Sequence, residues 1–207
     1  MAFAKSLALV LTFAACSSAA APVTTATSLR TDPSSSTILS NQGGTLEGHT
    51  PRGFAGMGTG LFAGDNLNPN FPDGDGVQMY LTFEAQSVMD VSSATLFSDA
   101  LTVRGAPFED LGPLLAEPVA YDAFGPALFD LQAIGPVVVC ERIGSSGITC
   151  DVTDSVRSSL DTGETRLQFR LRFDRAGDGD GRSDLAMFFL TDSNTNEPGL
   201  FTLTLTG

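Results

Sequence analysis

Tryptophan is absent from this 207-residue chain, lysine occurs once, at Lys5, and histidine once, at His49. Each scarcity removes a class of chemistry. With Cys16 read as part of an export signal, one histidine and two cysteines fall short of the four ligands that a structural zinc site takes. A serine-hydrolase triad would have to use His49, and the chain has no Gly-x-Ser-x-Gly nucleophile elbow, so His49 reads as a loop histidine. Segments of helical period are nearly absent, which leaves no strand-to-helix context for a phosphate-binding glycine loop. Positive charge is short too. The net charge is −13, and beyond Lys5 ten arginines face 24 acids, a surface that repels nucleic acid and anionic lipid headgroups.

The one long apolar stretch lies at the start. Lys5 precedes Leu7–Leu11, and Phe13-Ala14-Ala15 leads into Cys16. Charge, apolar run and small residues before a cut form an export signal, and the cysteine at the cut points to lipidation of Cys16. The competing reading is ordinary cleavage within Ser18–Ala21. The run is too short to span a membrane as a helix. Residues 1–15 are therefore read as a lipoprotein signal peptide. Residues 16–36, rich in Ser, Thr, Ala and Pro, are read as a flexible tether, and residues 37–207 as a single domain. The expected address is the bacterial cell envelope, at the outer membrane where the cell has one, with membrane contact through the lipid anchor only.

Within the domain, period-two alternation dominates. Val77, Met79, Leu81 and Phe83 alternate with Gln78, Tyr80, Thr82 and Glu84. Leu167, Phe169, Leu171 and Phe173 alternate with Arg166, Gln168, Arg170 and Arg172, and Phe201, Leu203 and Leu205 with threonines. Shorter strands are expected at residues 94–98, 119–121, 137–140, 148–152 and 185–190. One short helix is expected over residues 154–160, capped by Thr153 or Asp154 and stopped by Gly163. Eight or so strands with glycine-rich connections predict an all-β fold, an antiparallel jelly-roll β-sandwich.

Three groups of residues can carry chemistry. Cys140 and Cys150 flank a glycine-centred turn, so a cross-strand disulfide is expected in an oxidising compartment, with a metal site as the rival reading. Arg166, Arg170 and Arg172, with Gln168 among them, project from one face of one strand. A planar guanidinium pairs bidentately with carboxylates and stacks on flat surfaces, so the face suits an acidic polysaccharide. The alternative is that these arginines pair with acids on neighbouring strands. Asp178, Asp180 and Asp184 lie on a glycine-flexed loop and can offer oxygen ligands to a structural calcium ion, as Asp73 and Asp75 can to a lesser degree. Here the alternative is a polar β-turn, for which Asp-Gly is favoured. No other cofactor is expected.

Several segments resemble DNRLRE-type, disaggregatase-related β-sandwich domains over residues 77–207. Met79-Tyr80-Leu81-Thr82-Phe83 followed by Val91–Leu96 is similar to their opening strands. Cys150–Val156 is similar to their hydrophobic-Asp-Val-Thr segment, and Asp184–Phe189 with Glu197–Leu203 to their closing strands. The resemblance implies a carbohydrate-binding-module-like domain. The expected function is thus a non-catalytic, lipid-anchored surface or periplasmic protein binding polysaccharide. The alternative is a structural or assembly component of the envelope with a protein partner, and third comes a polysaccharide hydrolase or lyase.

Overall fold

In a computed structural model of the protein, the described residues are 23–27, 48–50, 60–65, 76–84, 90–123, 126–164, 166–189 and 201–207. Cys16, the expected signal peptide, most of the expected tether and the Asp73–Asp75 pair lie outside them. Residues 23–27, expected within the tether, instead form a strand paired with residues 202–206, because their backbone groups complete the edge of that sheet. The described residues are mostly strand, and every sheet is antiparallel.

The first sheet has the order β1-β13-β5-β10-β9, built from β1 (Val23–Thr27), β5 (Ser93–Ser98), β9 (Glu141–Ile143), β10 (Gly147–Asp151) and β13 (Thr202–Thr206). The second has the order β2-β4-β11-β7-β8. Its strands are β2 (Gly48–Thr50), β4 (Gln78–Glu84), β7 (Leu114–Val119), β8 (Val138–Val139) and β11 (Arg166–Phe173). A third sheet sets β12 (Asp184–Phe189) between β3 (Gly60–Asp65) and β6 (Leu101–Arg104). His49 falls on β2, in register with Met79. Four pairings nest along the chain: β1 with β13, β4 with β11, β5 with β10, and β7 with β8.

Alternation explains the core. Leu96, Ile148, Leu203 and Leu205 from the first sheet meet Leu81, Phe83, Phe169 and Leu171 from the second in a single apolar cluster, which Leu61 and Phe188 of the third sheet also join. Fully burying each such side chain is worth about 1.5–3 kcal/mol, so this β-sandwich core dominates stability.

The alternation fails on the other face of the second sheet, where polar residues should be solvated. Tyr80, Thr82, Gln168 and Arg170 are all buried. The reason is a cover: the chain after β7 folds back through a 3-10 turn (Pro126–Asp130), and Leu128 packs with Tyr80 and Val119 in a second cluster. The Tyr80 hydroxyl donates to the Leu128 carbonyl at 2.8 Å. Burial pushes the Tyr80 phenol far above its ordinary pKa, so it remains a donor.

The helix expected near residue 154 is present as α2 (Thr153–Asp161), with Gly163 at φ +82° beyond its end. Its N-cap is Val152, with no side-chain cap, rather than Thr153 or Asp154. Thr153 is engaged elsewhere: its hydroxyl accepts from the Ala94 amide at 2.9 Å and donates to Asp151 Oδ1 at 2.5 Å. It ties the helix start to β5 instead of capping it. A shorter helix, α1 (Pro107–Asp110), follows β6.

Cys140 and Cys150 form the expected disulfide. Its position is informative, because the chain changes sheets at Cys140. β8, just before it, pairs with β7 of the second sheet, and the Cys140 amide donates to the Leu114 carbonyl at 2.8 Å. β9, just after it, pairs with β10 of the first sheet. The bond therefore pins the corner where the two sheets exchange chain, with both cysteines inside the core cluster.

The cysteines are 10 residues apart in sequence. Closing so short a loop is worth about 2.7 kcal/mol in the chain-entropy model. Reducing the folded protein, or replacing both cysteines by alanine, should lower the denaturation midpoint by the equivalent of about 2–3 kcal/mol in urea titrations. Before reduction, neither thiol should react with an alkylating reagent under native conditions.

Candidate functional site

β11 lies between β4 and β7, so its outward residues meet both neighbours. Arg170 stands opposite Glu117 in register, and Arg172 opposite Leu115 one pleat away. Glu117 is 2% exposed and receives both guanidinium groups. Arg170 Nε donates to Glu117 Oε2 at 2.6 Å, and Arg170 Nη2 pairs with the same oxygen. Arg172 donates to Oε1 from Nε at 3.0 Å and from Nη2 at 2.7 Å. The remaining donors turn to backbone: Arg170 Nη1 to the Phe129 carbonyl at 3.2 Å, and Arg172 Nη1 to the Phe173 carbonyl at 3.0 Å.

For Arg170 and Arg172 the alternative reading holds, since both pair with an acid of the neighbouring strand, and the open arginine ladder expected from the sequence is corrected. Arg170 is buried under the 3-10 turn, and Gln168 accepts from the Tyr121 amide at 2.9 Å while donating to the Thr82 hydroxyl at 3.2 Å. Arg166, at the start of β11, is half-buried, and Arg172 is partly exposed. What remains open here is a polar groove of about 400 Å³, lined by Gln78, Asp130, Gln132 and the edge of Arg172. Its cationic groups are already occupied by a carboxylate, so it offers an acidic ligand little free positive charge. Glu117 was the missed residue. A lone acid inside the apolar run Leu114–Val119 was the available signal, because an acid there needs a cationic partner.

With the second sheet covered, the outward face of the first sheet stands open. Phe97 lies at its middle, 38% exposed. Across the strands it is flanked by Thr202 and Thr149, and the next row places Thr95 between Thr204 and Asp151. Glu141 follows Thr149 at the sheet edge. The four threonines are partly exposed and the two acids exposed. A groove of about 250 Å³ runs between Thr95, Thr149, Asp151, Glu141 and Val139. Hydrogen bonds from the Thr153 hydroxyl and then its amide hold the Asp151 carboxyl below the usual carboxylate range, so it stays an acceptor. Here an aromatic ring is set among hydroxyl and carboxylate groups.

The third feature is acidic. Carboxylate oxygens of Asp110, Asp178 and Asp184 lie within 4.8 Å of one another. Asp184 opens β12, Asp110 closes α1, and Asp178 sits in the turn between β11 and β12. Asp65, at the end of β3, is in register with Asp184 and 5% exposed. Burial raises the Asp65 carboxyl above its ordinary pKa, and the charges of Asp178 and Asp184 push it further. Desolvation followed by Asp184 and Asp178 raises the half-buried Asp110 likewise. Of the loop residues expected together, Asp178 and Asp184 converge and Asp180 turns away. Asp180 Oδ1 accepts from the Arg182 amide at 2.7 Å, an Asx-type turn. Asp110 and Asp65 were not foreseen, being distant in sequence from the Asp-Gly loop.

No family model matches the chain, and no curated protein is significantly similar to it.

Removing the acid that two guanidinium groups share should be severe. Glu117→Ala is expected to destabilise the protein by about 3–5 kcal/mol in urea unfolding, because it strands buried positive charge. Replacing Glu117 by Gln together with Arg170 by Met should cost clearly less than Glu117→Ala alone. An Arg170→Ala change should behave as a core lesion rather than a surface one. Near-neutral stability for Glu117→Ala would show that the pair is not buried in solution.

Proposed function

We propose that this is an exported, lipid-anchored, non-catalytic protein whose jelly-roll β-sandwich binds polysaccharide on the outward face of the first sheet. The single observation that carries the reading is Phe97, exposed at the centre of a row of Thr202, Thr149 and neighbouring hydroxyls. A pyranose ring presents C–H groups on its flat side and hydroxyls around its rim. Phe97 suits the first by stacking, and the threonines, Asp151 and Glu141 suit the second by hydrogen bonding. The charges on this face are negative, so the ligand is a neutral polysaccharide rather than the acidic one that the arginine strand suggested.

The nested pairing of β1 with β13, β4 with β11, β5 with β10 and β7 with β8 supports the jelly-roll description. The resemblance to DNRLRE-type domains is compatible with that topology and is proposed as kinship of fold. The disulfide favours an oxidising compartment, in agreement with the export signal ahead of Cys16. Among the described residues no helix is long and apolar enough to cross a membrane, and the lipid at Cys16 would supply attachment. A second reading, an envelope component with a protein partner, is favoured by Ile134, Val137, Val139 and Ile143, each about half exposed.

Affinity electrophoresis and calorimetry against neutral and uronic-acid polysaccharides test the proposal. Binding to a neutral glycan should fall about tenfold, equivalent to ~1.4 kcal/mol, on Phe97→Ala. The melting temperature should hardly change, since the ring is on the surface. Equal binding by wild type and Phe97→Ala, or binding to no neutral glycan, would remove the reading. Separately, Cys16→Ser should shift the protein from the membrane to the soluble fraction or leave it unprocessed, as fractionation and N-terminal sequencing would reveal.

A further inference from the structure

We infer that Asp110, Asp178 and Asp184, with Asp65 behind them, form a calcium site that locks the ends of the third sheet. The inference does not depend on glycan binding. Asp184 supplies the decisive observation. It is 2% exposed, and its Oδ1 accepts from the Ala106 amide at 2.6 Å. Its Oδ2 is buried with no hydrogen-bond partner. A buried carboxylate oxygen left unpaired among other acids costs free energy, unless a cation takes the place that a donor would fill.

The surroundings are built to hold that carboxylate in place. Gly105, at φ +70°, sits where an added Cβ would overlap Asp184 Oδ1 and approach the Ser183 carbonyl at 2.6 Å. Gly64, at φ +133°, sits where a Cβ would overlap the Asp184 carbonyl. Glycine at both positions lets the ends of β3 and β6 close directly on the start of β12. Asp178 Oδ1 is oriented by the Asp180 amide at 3.0 Å. The three converging carboxylates thus come from two stretches remote in sequence, α1 and the turn that runs from β11 into β12, with Asp65 of β3 beside them. The fold, rather than a single loop motif, brings them together.

Size and chemistry select the ion. Carboxylate oxygens are hard ligands, suited to calcium or magnesium and poorly to softer metals. Oxygens on opposite sides of calcium, at 2.3–2.6 Å each, stand roughly 4.6–5.2 Å apart, whereas magnesium draws them to about 4.0–4.2 Å. The oxygens here lie within 4.8 Å of one another, inside the span of a calcium coordination sphere. Three protein carboxylates also suit calcium better than magnesium, which keeps most of its waters. Water and backbone carbonyls would complete the six to eight ligands that calcium takes.

The test uses the full chain, stripped with a chelator and titrated with calcium alone or magnesium alone, by calorimetry and thermal melting. Calcium should bind at one saturable site and raise the melting temperature by roughly 5–10 °C at a hundredfold excess over Kd. Magnesium should bind at least about tenfold more weakly. Asp110→Asn and Asp178→Asn should weaken calcium binding tenfold or more. In chelator they should melt no lower than wild type, since each removes repulsion. Asp184→Asn keeps an oxygen for the Ala106 amide and should lose the calcium response. Asp180→Asn should retain it. The proposal is overturned if wild type shows neither binding heat nor a melting shift at millimolar calcium. It is equally overturned if Asp180→Asn loses as much affinity as Asp110→Asn, which would place the ion on the loop instead.

Discussion

A strand buried on both faces can carry polar side chains only if each finds a partner, and β11 meets that condition through Glu117. Its apolar residues face the core, while Gln168, Arg170 and Arg172 point the other way. One carboxylate shared by two guanidinium groups does not add much net stability over well-packed apolar residues of the same shape. What it adds is geometry. Arg170 reaches the Phe129 carbonyl and Tyr80 the Leu128 carbonyl, so the 3-10 turn is held over the sheet by hydrogen bonds that an apolar strand could not make. That face is largely covered, whereas Phe97 stands exposed on the outward face of the first sheet.

Two further constraints act where chain passes between sheets. The disulfide holds the crossing from β8 to β9, and the aspartates gather at the ends of β3, β12 and α1. A nested antiparallel topology pairs residues far apart in sequence, with β1 meeting β13 across most of the chain. Such long-range closures carry a large loop entropy. Local clamps at the crossings limit the ways in which the remaining strands can slip. A calcium ion at the acidic corner would extend the same logic, stabilising the folded arrangement by binding it and not the open chain.

The strands were legible because alternation reports on a single buried face. Gln78–Glu84, Arg166–Phe173 and Thr202–Thr206 fall where residues of period two predict them. The disulfide was legible for a related reason: two cysteines about a short turn sit opposite each other in any hairpin of that register. The orientation of Arg170 was not. Alternation separates two faces without saying whether the second is wet, and the covering segment at 126–130 shows no strand or helix period to betray it. Asp110 and Asp65 were hidden in the same way, since metal-ligand spacing is recognisable in sequence only when the ligands share one loop.

Local chemistry along the chain determined the β class, the strand positions, the glycine that ends α2 and the pairing of Cys140 with Cys150. These depend on neighbours within a few residues, where steric preference and hydrophobic period act. Which face of each sheet meets solvent, which acid answers Arg170 and Arg172, and which carboxylates share one space were decided only by tertiary structure. Burial and electrostatics depend on distance in space. That distance was set when a segment remote in sequence folded across the sheet.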